Sequence, residues 1–178
     1  ANGYVVTWYD QANVGGTAKN ATQSTRARQP KIYNGSAVIQ ENGKPAVDFS
    51  TAANIHMTFD IFYSASQAFI NAYFVYKMGG ANYQYLFGSN NQDKGYLPYH
   101  FANTPRSAAV RNDVTIAEGA TISQGNQVLR VDEVERTSVT IFVDGSQSAT
   151  TSDVSADFSM PSTNLILGSG NPSLTAAG

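Results

Sequence analysis

Three carboxylates stand close together in one short stretch of the sequence: Asp132, Glu133 and Glu135. Alternate residues of a β-strand share a face, so a strand here would place Glu133 and Glu135 side by side. Two carboxylates about 5 Å apart on one face are what retaining glycoside hydrolysis requires. The turn expected at Arg136 favours a simpler interpretation, in which the acidic stretch is the solvated end of a strand.

The other titratable residues have no spacing typical of a nucleophile, a general base or a metal site. His56 and His100 each lack a second histidine or a carboxylate at a metal-ligand or base-orienting spacing, so we expect both on polar faces. No Gly-x-Ser-x-Gly motif marks an activated serine. The sequence has no cysteine, which excludes thiolate metal sites and disulfides.

Calcium is the one metal considered, because it needs clustered oxygen ligands such as Asp and Asn. The candidate ligands are Asp10, Asn13, Asp93, Asp113 and Asp144. All of them fall at predicted turns, where Asp and Asn are favoured because their side chains form Asx-turns. We therefore interpret them as turn residues and predict no cofactor, with calcium as an alternative that has no clear motif behind it.

Aromatic side chains are the stronger candidates for a binding role. The chain has ten Tyr and nine Phe, and a tyrosine offers a flat apolar face plus a hydroxyl, which suits stacking on a sugar. The predicted ligand-binding residues lie in a less regular stretch around Pro98: Tyr96, Tyr99, His100 and Arg106. Tyr83, Tyr85 and Phe87 share a strand face, which is more typical of core packing.

The chain is weakly charged. Charged residues make up 13% of its 178 residues, roughly half the usual share of about 25%. With a net charge of -2 and a pI near 5.6, the chain lacks the basic patch that binding to nucleic acid requires. The sequence has no apolar run of about 18 residues, so we predict no membrane span. The length predicts one domain over residues 1–178.

The apolar pattern has a period of two almost throughout, which is typical of β-strands. Strands are predicted at 4–11, 30–33, 37–40, 46–49, 55–60, 67–78, 83–87, 127–134, 138–143, 147–151 and 165–167, with an aromatic run at 96–101 and short segments at 108–111 and 114–117. The first, which holds Trp8, is predicted to be covered on both faces, and 67–78 to be a central strand. Asn42-Gly43 and Asp144-Gly145 are predicted hairpin turns, and 153–161 is the nearest approach to a helical turn. This spacing of strands and turns predicts an all-β sandwich or jelly roll.

A string of short motifs runs through the first 50 residues: Trp8-Tyr9-Asp10-Gln11, Asn20-Ala21-Thr22-Gln23, Gln29-Pro30-Lys31-Ile32, Glu41-Asn42-Gly43-Lys44-Pro45-Ala46 and Phe49. In combination they resemble the opening of a concanavalin A-like, laminin-G-like module. Such modules occur in phage tail proteins, bacterial surface proteins and related arabinofuranosidase catalytic domains. The resemblance implies a two-sheet antiparallel jelly roll. It also implies that flanking strands are missing at both ends, as in a fragment of a longer chain, which would leave a sheet edge for neighbouring subunits or the rest of that chain to cover.

The resemblance also implies a function and a location. The expected function is a non-catalytic glycan-binding or adhesion module of a phage tail fibre or bacterial surface protein. Its partners would be carbohydrate, such as a cell-surface glycan, and neighbouring subunits, and its location extracellular or on a virion surface. A purely structural domain of a virion or fibre is the alternative. A glycoside hydrolase is a distant third, because laminarinase-type glucanases on this fold carry Glu-x-Asp-x-x-Glu and the order here is Asp132-Glu133-Val134-Glu135.

Overall fold

The computed structural model describes residues 1–12, 18–49, 55–60, 69–79, 83–89, 94–101, 104–111, 117–135, 138–151 and 165–169. Within these segments every pair of hydrogen-bonded strands is antiparallel. The helical structure in them is one short 3-10 turn, Arg26–Arg28. The predicted all-β class is therefore confirmed. No helix in these segments is long and apolar enough to cross a membrane.

The strands are short at the start of the chain and longer after residue 68. In chain order they are β1 (Gly3–Tyr4), β2 (Thr7–Trp8), β3 (Ala21–Thr22), β4 (Lys31–Tyr33), β5 (Gln40–Glu41), β6 (Lys44–Pro45), β7 (Met57–Phe59), β8 (Phe69–Lys77), β9 (Tyr83–Ser89), β10 (Lys94–Phe101), β11 (Thr104–Arg111), β12 (Ala117–Glu118), β13 (Gln127–Glu135), β14 (Val139–Val143), β15 (Ser146–Thr151) and β16 (Leu165–Ser169). The predicted helical turn at 153–161 lies outside the described residues.

Two sheets account for most of these strands. The larger has the order β12-β11-β10-β9-β16-β7-β3-β2, and the smaller has the order β15-β14-β13-β8. In the larger sheet, β16 lies between β7 and β9, so Leu165 is opposite Phe59 on one side and Ser89 on the other. In the smaller sheet, β8 and β13 pair over nine positions, from Phe69 with Glu135 to Lys77 with Gln127. Two further pairs, β1-β4 and β5-β6, are separate.

The hydrophobic core lies between the two sheets. Its buried members are Phe87, Ala117 and Leu165 from the larger sheet, and Val134, Val139 and Ile141 from the smaller. The rings of Phe59 and Phe87 extend it, with centroids 5.6 Å apart and planes tilted by 43°. Each fully buried Leu, Ile or Val contributes roughly 1.5–3 kcal/mol relative to exposure. The arrangement is a two-layer antiparallel sandwich; the finer jelly-roll assignment and the single domain stay predictions.

Two hairpin turns are formed as the sequence predicts. Asn42 and Gly43 have φ of 49° and 73°, and Asp144 and Gly145 have φ of 50° and 81°. Positive φ at both central residues is the type I′ turn, whose twist matches that of the flanking strands. The first turn joins β5 to β6 and the second joins β14 to β15.

The prediction that residues 4–11 form one strand covered on both faces is wrong. The chain changes partner midway, since β1 pairs with β4 and β2 pairs with β3. Each piece is therefore only two residues long, and β2 is the last strand of the larger sheet in the described residues. As a result, the residues of this segment are exposed to solvent: Val6 is 55% exposed, Trp8 45% and Tyr9 65%.

The strand predicted at 67–78 is confirmed in part, and the expectation for His56 is wrong. Among the described residues β8 ends the smaller sheet rather than lying centrally in it, although its two-residue period is confirmed, with Ala72 and Phe74 packing on the core. His56 is buried rather than on a polar face. Its backbone N–H donates to the carbonyl of Arg28 at 3.1 Å, and its own carbonyl accepts from Gln23 Nε2 at 3.2 Å.

Candidate functional site

The four predicted ligand-binding residues lie on one β-hairpin. Tyr96, Tyr99 and His100 are in β10, and Arg106 is in β11. In the ladder Tyr99 is opposite Arg106, whereas Tyr96 is opposite Ala109. The stretch is thus a regular strand and not the irregular one expected. The side chains of these four residues lie outside the described part of the structure, so their binding role stays a prediction.

The acidic stretch is divided between the two faces of β13. Asp132 is fully buried, whereas Glu133 and Glu135 are exposed. The latter two share a face, as predicted, and they lie on the solvent side of the smaller sheet. The interpretation of Asp132 as part of a solvated strand end is wrong, because alternation along the strand points it into the core.

Asp132 forms a buried ion pair with Arg130, two positions before it on the same face of β13. Arg130 Nε donates to Asp132 Oδ1 at 2.7 Å, and an Arg130 terminal amino group donates to Oδ2 at 2.8 Å. Both side chains have zero exposure. Burial raises the pKa of the nearby Tyr76 hydroxyl, and the Arg130 charge and hydrogen bond partly oppose that rise. A fork-to-fork pair of this kind occupies the Asp132 carboxylate, so we assign it to structure rather than catalysis.

The outer face of the smaller sheet carries an apolar patch that the sequence interpretation missed. We define the outer-sheet patch as Tyr73, Val75, Leu129, Val131 and Phe142. Tyr73, Val75 and Leu129 are 69%, 65% and 42% exposed. The register brings them together, since Tyr73 is opposite Val131, Val75 is opposite Leu129, and Val131 is opposite Phe142. An exposed apolar patch on a sheet face is a candidate interaction surface.

Polar side chains border the outer-sheet patch at one end. Asn71 is opposite Glu133, and Glu133 is opposite Thr140 on its other side. The hydroxyls of Thr140 and Thr150 lie 3.0 Å apart and are hydrogen-bonded. The row therefore offers an amide, a carboxylate and two hydroxyls beside an exposed tyrosine ring.

A polar cleft of about 570 Å³ adjoins the patch at its other end. We call it the polar cleft; the side chains lining it that can form hydrogen bonds are Glu41, Asn42, Thr121, Ser123, Asn126, Gln127, Asp144 and Ser148. Gln127 belongs both to this lining and to β13, where it is opposite Lys77. Lys77 in turn makes a 2.9 Å ion pair with Glu41.

Local hydrogen bonds hold the walls of the polar cleft. Asn42 donates to the Gln127 side chain, which ties the β5-β6 turn to the start of β13. The Leu129 N–H donates to Asp144 Oδ1 at 2.9 Å, and the Ala120 N–H donates to Ser148 Oγ at 2.9 Å. These hydrogen bonds order the cleft, whose walls come from the β5-β6 turn, residues 120–128 and the β14-β15 hairpin.

The calcium candidates do not come together in the part of the chain that is described. No three His, Cys, Asp or Glu side chains are grouped there so as to hold a metal ion. Asp10 makes the predicted Asx-turn, since its Oδ1 accepts the Ala12 N–H at 2.9 Å. Asn13, Asp93 and Asp113 lie outside the described residues.

Comparison with known proteins shows the fold alone. No protein-family model matches the chain, and no curated protein matches it in sequence. Among solved structures it is similar to "Crystal structure of HCR/D-Sa-GBL1/C", with a TM-score of 0.53 and 9% identity over 94% of this chain. The match spans 45% of that chain, so this chain is less than half its length. A sialidase superimposes with a TM-score of 0.26 and 10% identity over 70% of this chain and 12% of its own. A TM-score this low does not indicate a shared fold.

Proposed function

We propose that the chain is a non-catalytic glycan-binding module, whose ligand lies along the outer-sheet patch and extends into the polar cleft. The observation behind this proposal is the Tyr73 ring, which is 69% exposed on a sheet face and flanked by aliphatic side chains. Sugars present C–H faces and hydroxyls together, and the patch with its polar borders offers matching chemistry for both. We further propose an adhesion role at an extracellular or virion surface.

The carboxylates support binding rather than hydrolysis. Asp132 is held by Arg130 inside the core, away from any ligand on the outer face. Glu133 and Glu135 lie on an exposed sheet face, and not in the apolar pocket in which a carboxyl serves as a general acid. We therefore propose that the module binds without cleaving.

Affinity at one site should be low. Aromatic contacts are worth about 0.5–1.5 kcal/mol beyond the area they bury, which places a single site in the roughly millimolar to micromolar range. Neighbouring copies in an assembly would raise the effective affinity through multivalency.

The test is a glycan array followed by calorimetry with Tyr73→Ala. We expect the variant to lose about tenfold or more in affinity, equivalent to about 1.4 kcal/mol. Tyr9→Ala is the matched control, because Tyr9 is 65% exposed but lies next to β2 in the other sheet, and it should bind as the parent does. Equal binding by all three proteins would overturn the assignment to the outer-sheet patch.

The β10-β11 hairpin provides the second arm of this test. The double variant Tyr96→Ala/Tyr99→Ala removes the two aromatics that the sequence predicts as the binding surface. If it loses glycan binding while Tyr73→Ala retains it, the module binds glycans through the hairpin. Measurable hydrolysis of any polysaccharide would favour an enzyme instead.

A structural role in a virion or fibre assembly is the second candidate. The observation that favours it is the position of β8, which ends the smaller sheet in the described residues while exposing Val75. Strands at a sheet edge are templates for pairing with another chain. Binding to nothing on the array, together with self-association in analytical ultracentrifugation, would support this role.

A further inference from the structure

A second cavity, of about 460 Å³, lies among β1, β4 and the Arg26–Arg28 turn. Of the described residues, two cations, Arg26 and Lys31, and one anion, Asp48, line it, together with Tyr4 and the buried Gln29. Its charge therefore favours an anion, in a chain whose net charge is negative. It is separate from the outer-sheet patch and the polar cleft, with which it shares no lining residue.

Arg26 is held in place by an aromatic ring. Its guanidinium carbon lies 5.4 Å from the centroid of the Tyr4 ring, within the range of a cation–π contact. Stacking of this kind uses the flat face of the guanidinium and leaves N–H groups at its edge to donate. Two parallel N–H groups match the two oxygens of a carboxylate or a sulfate.

The loop that carries Arg26 is fixed by two buried glutamines. Gln23 Nε2 donates to the His56 carbonyl at 3.2 Å, and Gln23 Oε1 accepts the Thr25 N–H at 3.0 Å. Gln29 Nε2 donates to the Gln23 carbonyl at 2.7 Å. Because these contacts order the loop before any ligand arrives, binding costs less entropy.

Gln29 also supplies an acceptor to this cavity. Its side chain is 6% exposed, and within the described residues its Oε1 accepts no hydrogen bond. A buried carbonyl oxygen without a donor is costly, and a ligand hydroxyl would satisfy it. The lining thus combines oxyanion donors with acceptors for a hydroxyl, Gln29 Oε1 among them.

We propose that this cavity binds an anionic saccharide, with its carboxylate or sulfate ester against Arg26 and Lys31 and a hydroxyl donating to Gln29. This inference rests on the proposed glycan-binding function and adds a second site with its own ligand class. The carboxylate and the sulfate ester share the chemistry that the cations recognise, so the experiment has an arm for each.

The experiment follows backbone amide shifts by NMR in the full chain, titrated with glucuronic acid, galactose 6-sulfate and uncharged galactose. We expect one or both acidic sugars to shift the amides of Ala27, Gln29 and Lys31, and galactose to leave them unchanged. Arg26→Gln should weaken this binding about tenfold or more. Arg28→Gln is the matched control, because Arg28 is an exposed cation of the same turn that does not line the cavity.

Lys31→Gln is the second variant. It retains the backbone hydrogen bonds between Lys31 and Asp48, and it should also weaken the binding of the acidic sugars. The proposal is overturned if galactose shifts these amides as strongly as the acidic sugars, or if Arg26→Gln and Arg28→Gln weaken binding equally. Glycan binding that depends on Tyr73, without any shift around Arg26, would leave the proposed function standing and remove only this site. If acidic sugars bind here and Tyr73→Ala changes no glycan binding, this site stands and the assignment of glycan binding to the outer-sheet patch is removed.

Discussion

Asp132 and Arg130 make the core depend on a pair of charges with zero exposure. Removing one partner of a buried ion pair leaves the other charged and unpaired, which costs about 3–5 kcal/mol. We expect Asp132→Ala to lower the free energy of unfolding by that amount in urea denaturation. Glu133→Ala, one position along on the exposed face, should stay within about 0.5 kcal/mol of the parent.

Replacing both charged residues separates the cost of an unpaired charge from the value of the pair. Arg130→Met with Asp132→Leu removes both charges while keeping apolar volume, which in other buried pairs is neutral or stabilising. The double variant should therefore be more stable than Asp132→Ala. If it is equally unstable, the pair contributes net stability here.

Tyr76 adds a pH dependence to the same cluster. Burial raises the pKa of its hydroxyl above the ordinary 10.0, so below pH 10 the phenol is protonated in the folded and unfolded states alike. Above pH 10 the unfolded chain ionises first, and the free energy of unfolding falls as pH rises. We expect Tyr76→Phe to flatten that alkaline decline in urea denaturation measured below and above pH 10.

The same substitution should also lower stability at neutral pH. It removes a hydrogen-bond partner of the buried Arg130, a loss of about 1–3 kcal/mol. Tyr9→Phe provides the comparison at neutral pH, because Tyr9 is exposed and its replacement should leave the stability close to that of the parent. An unchanged decline in Tyr76→Phe would contradict the burial of this hydroxyl.

At the scale of elements, two glycines with similar backbone angles should differ in what they tolerate. Gly43 in the β5-β6 turn has φ of +73° and open space where a Cβ would stand, whereas Gly168 in β16 has φ of +69° and faces the Phe49 ring. Gly43→Ala should cost about 1–2 kcal/mol from backbone strain alone. Gly168→Ala should cost more, because the ring must also move. Thermal unfolding measures both, and equal losses would show that the Phe49 ring moves freely.

The elements that the sequence predicts well are those specified by local chemistry. Asn42-Gly43 and Asp144-Gly145 fix their hairpins because few residue pairs accept positive φ. The exposed start of the chain was missed because two successive pairings, of β1 with β4 and of β2 with β3, depend on residues far away in sequence. The outer-sheet patch was not predicted for the same reason, because it depends on the pairing of β8 with β13 and of β13 with β14.

One signal for the buried ion pair was present in the sequence. Arg130 and Asp132 fall at the same parity as Val128 and Val134, so the period that buries the valines buries the charges too. Charged residues are seldom fully buried unless paired, and opposite charges two positions apart supply such a pair. No comparable sequence pattern marks the predicted binding residues of the β10-β11 hairpin, because a binding role depends on which surface faces a ligand.

For the whole molecule, both surfaces that we propose as saccharide sites lie outside the core. The outer-sheet patch lies on the solvent face of the smaller sheet, and the Arg26 cavity lies beside the short strands at the start of the chain. The two proposed sites share no residues, so each can be tested without altering the other. Weak contacts at both would add through effective concentration rather than through new contacts.

The position of β16 governs when this protein can fold. Among the described residues, the larger sheet joins β7 to β9 through β16, which begins at Leu165. On a ribosome, these two parts of the sheet therefore stay unjoined until residues 165–169 have been synthesised. Such distant pairings slow folding, because loop entropy is lost before the contacts form. Until β16 is available, the edges of β7 and β9 that it covers can pair with other strands.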